Sequence, residues 1–164
     1  NVEDLFKYQS QNNGSIKDYP NTIEIHKDDF YALECDICIP AALGNQITEE
    51  NAHKIKAFLV AEGANGPTSF EGEQILLKNG ITVIPDILCN SGGVIGSYFE
   101  WLQNRHGEVW ELNEILIKLD KKIKEAFNKV LKKSQDSKVD MRTASYMIAI
   151  ERIEQAYIQR GIFP

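Results

Sequence analysis

Three short apolar runs, at residues 36–39, 57–61 and 81–84, are separated by stretches that favour helices. Each run has the length of a buried strand, and the spacing between runs leaves room for a crossover helix. Right-handed crossovers would make consecutive strands parallel. The pattern therefore predicts an α/β fold in which this chain supplies half of a doubly wound sheet. The sequence contains no G-x-G-x-x-G turn, so the other half is not predicted here.

Turn and capping residues divide the chain before residue 90 into further short elements. We predict a helix at 2–8, a turn at 12–15, a strand at 22–25, a helix at 27–33 and a loop at 41–46. Thr48 and Asn51 are candidate caps of a short helix that reaches residue 56. The sequence TSFE at 68–71 matches a capping box and predicts a helix to residue 79, with Gly80 following its end.

From Ser91 onward the pattern is helical. One predicted helix covers residues 91–104 and breaks at 106–107, and a long one follows at 112–133. A last helix is predicted at 141–160, with Asp140 as its N-cap and Gly161 ending it. In the long helix the apolar residues recur at helical spacing and predict a buried stripe, opposite a lysine-rich face that we interpret as solvated. The stripe consists of Leu112, Ile115, Leu119, Ile123, Ala126, Phe127 and Val130.

Composition limits the classes of partner. The 164 residues are 43% hydrophobic and 26% charged, as in ordinary soluble domains, and the formal net charge is −6. An acidic balance argues against a nucleic-acid surface or an anionic membrane as the main partner. No apolar run approaches the ~20 residues that a membrane span needs. The chain opens at Asn1 directly on a helical pattern, so we expect it to be cut from a longer chain.

Three cysteines, Cys35, Cys38 and Cys89, do not form a disulfide framework. Cys35 and Cys38 have the spacing of a metal or redox pair, but on one strand residues three apart point to opposite faces. We therefore predict two buried strand cysteines and a reducing, cytoplasmic setting. The three histidines lie in unrelated segments with no ligand-like spacing, and no metal site is predicted.

Two of the predicted strands end in turns rich in small residues, and each turn contains an asparagine. In open α/β sheets ligands bind at the carboxyl ends of the strands, where small residues allow close backbone approach. The Asn65 amide can donate and accept at once, which suits a ribose hydroxyl or a carboxamide. An ordinary turn asparagine bonded to its own backbone is an equal alternative. Val94 and Ser97 share a helix face, although a helical serine more often bonds its own backbone.

Four separated motifs carry a resemblance to a known family. They are AEGANGP at 61–67, VIPD at 83–86, N-x-GGV-x-x-SYFEW at 90–101 and DMRTASY at 140–146. Together, and in this order, they resemble the amino-acid dehydrogenases, specifically glutamate dehydrogenase, over essentially all of the chain. The resemblance implies the second half of a Rossmann-like doubly wound parallel sheet followed by C-terminal helices. Residues 1–90 would complete the dinucleotide-binding domain, and residues 91–164 would pack on it.

The resemblance also assigns roles to individual positions. Asn65 and Asn90 match asparagines that face the nicotinamide end of NAD or NADP, and Ala41 matches a position beside the adenosine. Val94 matches a valine that lines the substrate side-chain pocket, and Ser97 matches a serine that binds the distal carboxylate of glutamate. The catalytic lysine and aspartate would precede Asn1, so no catalytic residue is predicted in this chain. The chain alone is therefore expected to be inactive.

The implied reaction is oxidative deamination of L-glutamate to 2-oxoglutarate and ammonia, with a homo-oligomer, a hexamer in the family, as the assembly. Relatives specific for leucine or phenylalanine share N-x-GGV but lack SYFEW, so Ser97 favours glutamate. Another amino-acid dehydrogenase remains an alternative. A non-catalytic nucleotide-binding or oligomerisation module is a second alternative if the natural chain begins at Asn1. Phe70, Gly72, Ser91 and Gly96 depart from the family pattern.

Overall fold

A computed structural model of the chain describes residues 1–161, except for the side chains of residues 27 and 28. The last three residues of the predicted helical segment thus lie outside the described residues. The described chain divides into two compact units, Asn1–Phe30 and the part from Tyr31 onward. The boundary predicted after residue 90 stays a prediction. The elements are α1 Val2–Gln11, α2 Lys27–Phe30, β1 Ile37–Cys38, a 3₁₀ turn Ala52–Lys54, β2 Leu59–Ala61, α3 Phe70–Lys78, β3 Thr82–Ile84, α4 Asp86–Cys89, α5 Ser91–His106, α6 Leu112–Ser137 and α7 Met141–Arg160.

The first unit contains α1, the predicted turn and α2. The Tyr8 hydroxyl donates to the Lys17 carbonyl at 2.9 Å, and the Tyr8 and Tyr19 rings meet edge to face. The strand predicted at 22–25 is wrong, because these residues have no regular secondary structure and pair with no strand of the sheet. Ile23 is 88% exposed, which shows that its alternating pattern has no core beneath it. The helix predicted at 27–33 is confirmed only for α2.

The second unit is built on a parallel sheet with strand order β1-β2-β3. Val60 pairs with Cys38 on one side and with Val83 on the other, so β2 is the central strand. The three predicted strands and their parallel direction are confirmed, although each is shorter than its apolar run. The main core lies around β2 and contains Ile47, Ala52, Ile55, Ala57, Val60, Leu76, Ile81 and Val83.

Two caps differ from their predicted roles. The N-cap of α3 is Ser69, whose Oγ accepts from the Gly72 N–H at 3.0 Å, so the predicted capping box is displaced by one residue. Asn51 does not cap the 3₁₀ turn with its side chain. Its amide braces the preceding loop, because it accepts from the Thr48 N–H and donates to the Gln46 carbonyl.

The glycine at position 72, one of the departures from the family pattern, has a steric explanation in this chain. A Cβ at this position would lie 2.9 Å from the carbonyl oxygen of Ile47. That oxygen also accepts the Ser69 N–H at 2.8 Å, so the loop before the sheet is held close against the first turn of α3. The close approach of two backbones explains a glycine inside a helix, where it otherwise costs about 1 kcal/mol relative to alanine.

The predicted cysteine environments are wrong in part. Cys35 lies before β1 and is exposed, and Cys38 is half-buried. The reason is that β1 is only two residues long and lies at the edge of the described sheet. Burial and the neighbouring Cys35 raise the pKa of the Cys38 thiol. Within residues 1–161 no group of three or more His, Cys, Asp or Glu side chains is placed to hold a metal ion.

The helices after Ser91 form the rest of the second unit. Gly107, at φ +67°, ends α5, and the Asp140 carboxylate begins α7 by accepting the Thr143 N–H at 2.7 Å, as predicted. The stripe predicted on α6 is buried only at Val130, and Leu112 is 70% exposed. A helix of 26 residues is about 39 Å long, which exceeds the small core that it packs on. No helix in the described part of the chain is long and apolar enough to cross a membrane.

Candidate functional site

The two small-residue turns lie side by side because β2 and β3 are adjacent parallel strands. The turn after β2 contains Gly63, Ala64 and Asn65, and α4 and the start of α5 follow β3. A cleft of about 640 Å³ opens between them at the carboxyl ends of the strands. It is lined by Ala42, Leu43, Gly44, Gly63, Ala64, Asn65, Asn90 and Val94. This is the position at which open α/β sheets bind their ligands.

Asn65 and Asn90 are joined directly. The Asn90 amide nitrogen donates to Asn65 Oδ1 at 2.7 Å and lies 3.4 Å from the carbonyl oxygens of Gly63 and Ala64. In the described residues the Asn65 amide nitrogen and the Asn90 amide oxygen have no hydrogen-bond partner. The pair therefore keeps both a donor and an acceptor for a ligand at the cleft.

The loop containing Ala41 supports the back of the Asn65 turn. The Pro40 carbonyl accepts the Ala64 N–H at 2.9 Å, and the Asn45 N–H donates to the Gly66 carbonyl at 2.8 Å. A Cβ on Gly63 would lie 3.0 Å from the Cβ of Ala41, so a larger residue there would require the Ala41 loop to shift by a few tenths of an ångström. Ala41 itself is not among the cleft-lining residues, whereas its neighbour Ala42 is.

Sequence reasoning missed the arginine at the base of the site. Arg142, in the first turn of α7, donates from Nη2 to Glu62 Oε2 at 2.6 Å, from Nε to Glu73 Oε2 at 2.7 Å and from Nη1 to Asp86 Oδ1 at 2.9 Å. Glu62 is fully buried, and Glu73 is 5% exposed. The cluster of Arg142, Glu62, Glu73 and Asp86, called here the Arg142 cluster, joins β2, α3, α4 and α7.

The Arg142 cluster reaches the cleft through Asp86. Asp86 Oδ2 accepts the Gly66 N–H at 2.8 Å, while its own N–H donates to Glu62 Oε2 at 2.8 Å. Gly66, which directly follows Asn65, has φ +52°, a conformation that glycine adopts without strain. One carboxylate thus connects the buried arginine to the turn that carries Asn65.

The pKa values of Glu73 and Asp86 are shifted in opposite directions beside the same guanidinium. Burial raises the pKa of Glu73, and the contacts with Arg142 offset this only in part. Burial also raises the pKa of Asp86, but the Gly66 and Ile87 N–H groups and Arg142 together hold it below its ordinary value. Burial lowers the pKa of Arg142, yet its bonds to Glu62 and Glu73 raise it overall, so the arginine stays charged. The Oε1 atom of Glu62 is buried with no hydrogen-bond partner in the described residues.

The other predicted site residues lie on α5. Val94 lines the cleft and is 73% exposed. Ser97 is exposed, is not among the lining residues, and its Oγ donates to the Gly93 carbonyl at 3.2 Å. The structure therefore brings together Asn65, Asn90 and Val94, and it leaves Ser97 bonded to its own helix.

A sequence signal for Arg142 was present but not decisive. Three motifs of the resemblance, AEGANGP, VIPD and DMRTASY, each contribute one charged residue to the Arg142 cluster. Glu73 comes from α3, outside those motifs. Taken one at a time, these charged residues look like surface charges until the fold brings the four together.

Comparison with known proteins agrees with the geometry. A family model described as Glutamate/Leucine/Phenylalanine/Valine dehydrogenase matches residues 1–161. The chain is 45% identical over 163 residues to a glutamate dehydrogenase of Thermotoga maritima, covering 99% of this chain and 39% of that protein. It is 48% identical over 137 residues to an NAD-specific glutamate dehydrogenase of Staphylococcus aureus strain COL, covering 84% of this chain and 33% of that protein.

A solved structure has the same fold. The hetero-hexameric glutamate dehydrogenase from Thermus thermophilus in its Leu-bound form superposes with a TM-score of 0.90 at 25% identity, covering 100% of this chain and 38% of that chain. The similarity confirms the α/β architecture with C-terminal helices. The chain spans about two fifths of these relatives or less, so it corresponds to one part of their length.

Proposed function

The chain belongs to the Glutamate/Leucine/Phenylalanine/Valine dehydrogenase family, and from that premise we propose that it is part of a glutamate dehydrogenase. The whole protein would convert L-glutamate to 2-oxoglutarate and ammonia, with hydride transfer to NAD or NADP. The named relatives support a nicotinamide cofactor, and one of them is NAD-specific. We propose a cytoplasmic homo-oligomer, a hexamer by family resemblance, with no nucleic-acid or membrane partner.

The observation that carries the proposal is the Asn65–Asn90 pair at the cleft after β2 and β3. Its free amide nitrogen and free amide oxygen fit a primary carboxamide, which offers one acceptor and one donor group. The glycines and alanines around the pair allow a ring to approach the backbone. The residues present therefore fit the nicotinamide end of a dinucleotide. We assign Ala41 to the adenosine side only through the loop it shares with Ala42.

When bound, the dinucleotide would supply the hydride acceptor. The role of this chain is to hold and orient. Asn65 and Asn90 would fix the plane of the carboxamide, and Val94 would form an apolar wall beside it. Ser97, one helical turn further along α5, would turn its hydroxyl from the Gly93 carbonyl to the distal carboxylate of glutamate. We propose no proton transfer by any residue of this chain.

Substrate choice within the family rests on Ser97. A hydroxyl bonded to a carboxylate contributes about 1.5–3 kcal/mol, which is roughly 10- to 150-fold in selectivity. The family itself includes enzymes for leucine, phenylalanine and valine, so membership alone does not choose between substrates. The proposal that glutamate is the substrate therefore depends on Ser97.

The test uses the natural protein that contains this chain. Reduction of NAD⁺ and of NADP⁺ is measured with glutamate, norvaline, leucine, phenylalanine and valine in parallel. We expect glutamate to exceed norvaline in kcat/KM by about tenfold or more. Preference for an apolar amino acid would reject glutamate specificity in favour of another amino-acid dehydrogenase. Lack of cofactor reduction with every substrate would favour a non-catalytic nucleotide-binding or oligomerisation module.

A further inference from the structure

We propose that Arg142 is a positioning residue for the nicotinamide side of the cleft. It would act through Asp86 and Gly66 on the orientation of Asn65. This inference deepens the proposed function and rests on it for the identity of the ligand. The geometry that carries it is a continuous path of short hydrogen bonds from the first turn of α7 to the turn after β2.

The first step in the path is the position of Asp86. Its Oδ1 accepts from Arg142 at 2.9 Å and its Oδ2 accepts the Gly66 N–H at 2.8 Å, so the carboxylate bridges the two. The backbone of Asp86 is fixed as well, because its N–H donates to Glu62 Oε2, the same atom that binds Arg142 Nη2. Arg142 therefore fixes both the main chain and the side chain of Asp86.

The second step is the turn itself. Gly66 has a positive φ and no side chain, so its conformation depends on its backbone bonds. The Asp86 carboxylate holds its N–H, and the Asn45 N–H holds its carbonyl. Rotation at Gly66 would displace the preceding residue, Asn65, whose Oδ1 must stay 2.7 Å from the Asn90 amide for the pair to form.

The third step is charge. Glu62, Glu73 and Asp86 all converge on one guanidinium, and Glu62 and Glu73 are almost completely buried. Without the guanidinium, the carboxylates that converge on it repel one another. Asp86 is the most exposed of the three, with 20% of its side chain accessible. We expect Asp86 to turn outward first and to release the Gly66 N–H.

Arg142 does not line the cleft. An effect of Arg142 on cofactor binding must therefore pass through other residues, which makes it separable from direct binding. A purely structural arginine would change the amount of folded protein but not the affinity of the folded molecules. The conservative variant Arg142→Lys keeps one charge and loses the planar fork that serves three carboxylates.

The experiment compares Arg142→Met, Arg142→Lys and Asp86→Asn in the natural protein, with Arg152→Met as control. Arg152 lies on the same helix and is exposed, and among the described residues no hydrogen bond or ion pair joins it to the Arg142 cluster. Titration with NADH and NADPH gives the Kd of the folded protein, and kinetics give KM and kcat separately. We expect Arg142→Met to raise the cofactor Kd and KM about tenfold, with Arg142→Lys in between and Arg152→Met unchanged.

Two further measurements make the result decisive. Hydrogen exchange at the Gly66 amide should accelerate about tenfold in Arg142→Met and Asp86→Asn, even without cofactor. In a double-mutant cycle, the effect of Arg142→Met on Kd should shrink when Asn65 is already alanine. Unchanged exchange at Gly66, or fully additive effects, would overturn the positioning role. If the wild-type protein binds neither dinucleotide, the proposed function fails, while the exchange measurement still decides whether Arg142 positions the turn.

Discussion

The two sides of the candidate site differ in how firmly this chain holds them. On the proposed nicotinamide side, the Asn65 turn is fixed at its front by Asn90, at its back by Pro40 and at its base by Asp86. On the proposed substrate side, Ser97 bonds only to its own helix, and Val94 is largely exposed. Both sides belong to the same α/β unit, so the difference lies in their local contacts.

The difference indicates which polar groups of the chain are ordered before a ligand binds. Polar groups that are fixed before a ligand arrives lose less conformational entropy on binding than groups that must be ordered. The Asn65–Asn90 pair is fixed in this way, whereas Ser97, in its proposed role, would have to exchange its bond to the Gly93 carbonyl for one to the substrate. Tyr98 and Trp101, which stack on each other beside Ser97, are each half-exposed as well. We expect the substrate side to gain its final geometry only in the whole protein.

Removal of Arg142 is the strongest way to break this difference. Arg142→Met leaves Glu62, Glu73 and Asp86 without their cation, and an unpaired buried charge typically costs about 3–5 kcal/mol. We expect the free energy of unfolding to fall by roughly that amount, measured by urea denaturation of the natural protein. Arg152→Met, on the exposed part of the same helix, should change it by less than about 0.5 kcal/mol. Equal losses in the two variants would show that the Arg142 cluster does not stabilise the fold.

Variants of Asp86 and Glu73 should sharpen the comparison, because the pKa values of the two carboxyl groups are shifted in opposite directions. The pKa of Asp86 lies below its ordinary 3.8, so its contribution to stability is present above that pH and is lost as pH falls through the folded value. The pKa of Glu73 lies above its ordinary 4.5, so its contribution is present below that pH and is lost as pH rises through the folded value.

At neutral pH the two variants should therefore separate. Asp86→Asn should destabilise by about 1.5–3 kcal/mol, because one of its charge-assisted bonds is lost. Glu73→Gln should be neutral or slightly stabilising, since an amide oxygen can still accept the Arg142 Nε–H and carries no buried charge. Urea unfolding from about pH 7 to below pH 3.8 measures both, and the deficit of Asp86→Asn should stay level down to that pH and narrow below it. The same loss in both variants at neutral pH would contradict the opposite pKa shifts.

The sequence predicted the fold well where local chemistry and apolar spacing agreed. The three parallel strands and the helix Met141–Arg160, with Asp140 and Gly161 at its ends, are confirmed. Residues 22–25 alternate like a strand but lie in coil, because strand formation needs a paired neighbour that a local pattern cannot reveal. The stripe on α6 had the right spacing, yet most of it is only half-buried, since burial depends on how far the core extends.

The candidate site, too, could be predicted from the sequence only in part. Asn65 and Asn90 were both singled out from the sequence, and the adjacency of β2 and β3 brings them into contact. The Arg142 cluster was not foreseen, because Glu62 and Arg142 are 80 positions apart and only the packing of α7 on the sheet places them in contact. The binding roles of Asn65, Asn90, Ala41, Val94 and Ser97 stay predictions, since hydrogen bonds within a chain do not show what a ligand contacts.

Ser97→Ala tests the less constrained side. In the natural protein we expect kcat/KM for glutamate to fall roughly 10- to 150-fold, the value of a hydroxyl bonded to a carboxylate. The free energy of unfolding should change little, because Ser97 bonds only to Gly93 of its own helix. Norvaline, with a methyl group in place of the distal carboxylate, should keep its kcat/KM or improve. The ratio of the two substrates is the readout, and a constant ratio would remove the main support for glutamate.

The smallest expected effect is that of Asn65→Ala on the constrained side. The substitution removes the acceptor for Asn90 and the free amide nitrogen, each a neutral hydrogen bond of about 0.5–1.5 kcal/mol. Because Pro40 and Asp86 still hold the backbone of the turn, we expect stability to change little and cofactor KM to rise roughly two- to twelvefold. Ser97→Ala, by contrast, should leave cofactor KM unchanged. If Asn65→Ala keeps normal cofactor KM and kcat, then Asn65 is a turn residue that orders Asn90, and the nicotinamide side must be read from Asn90 alone.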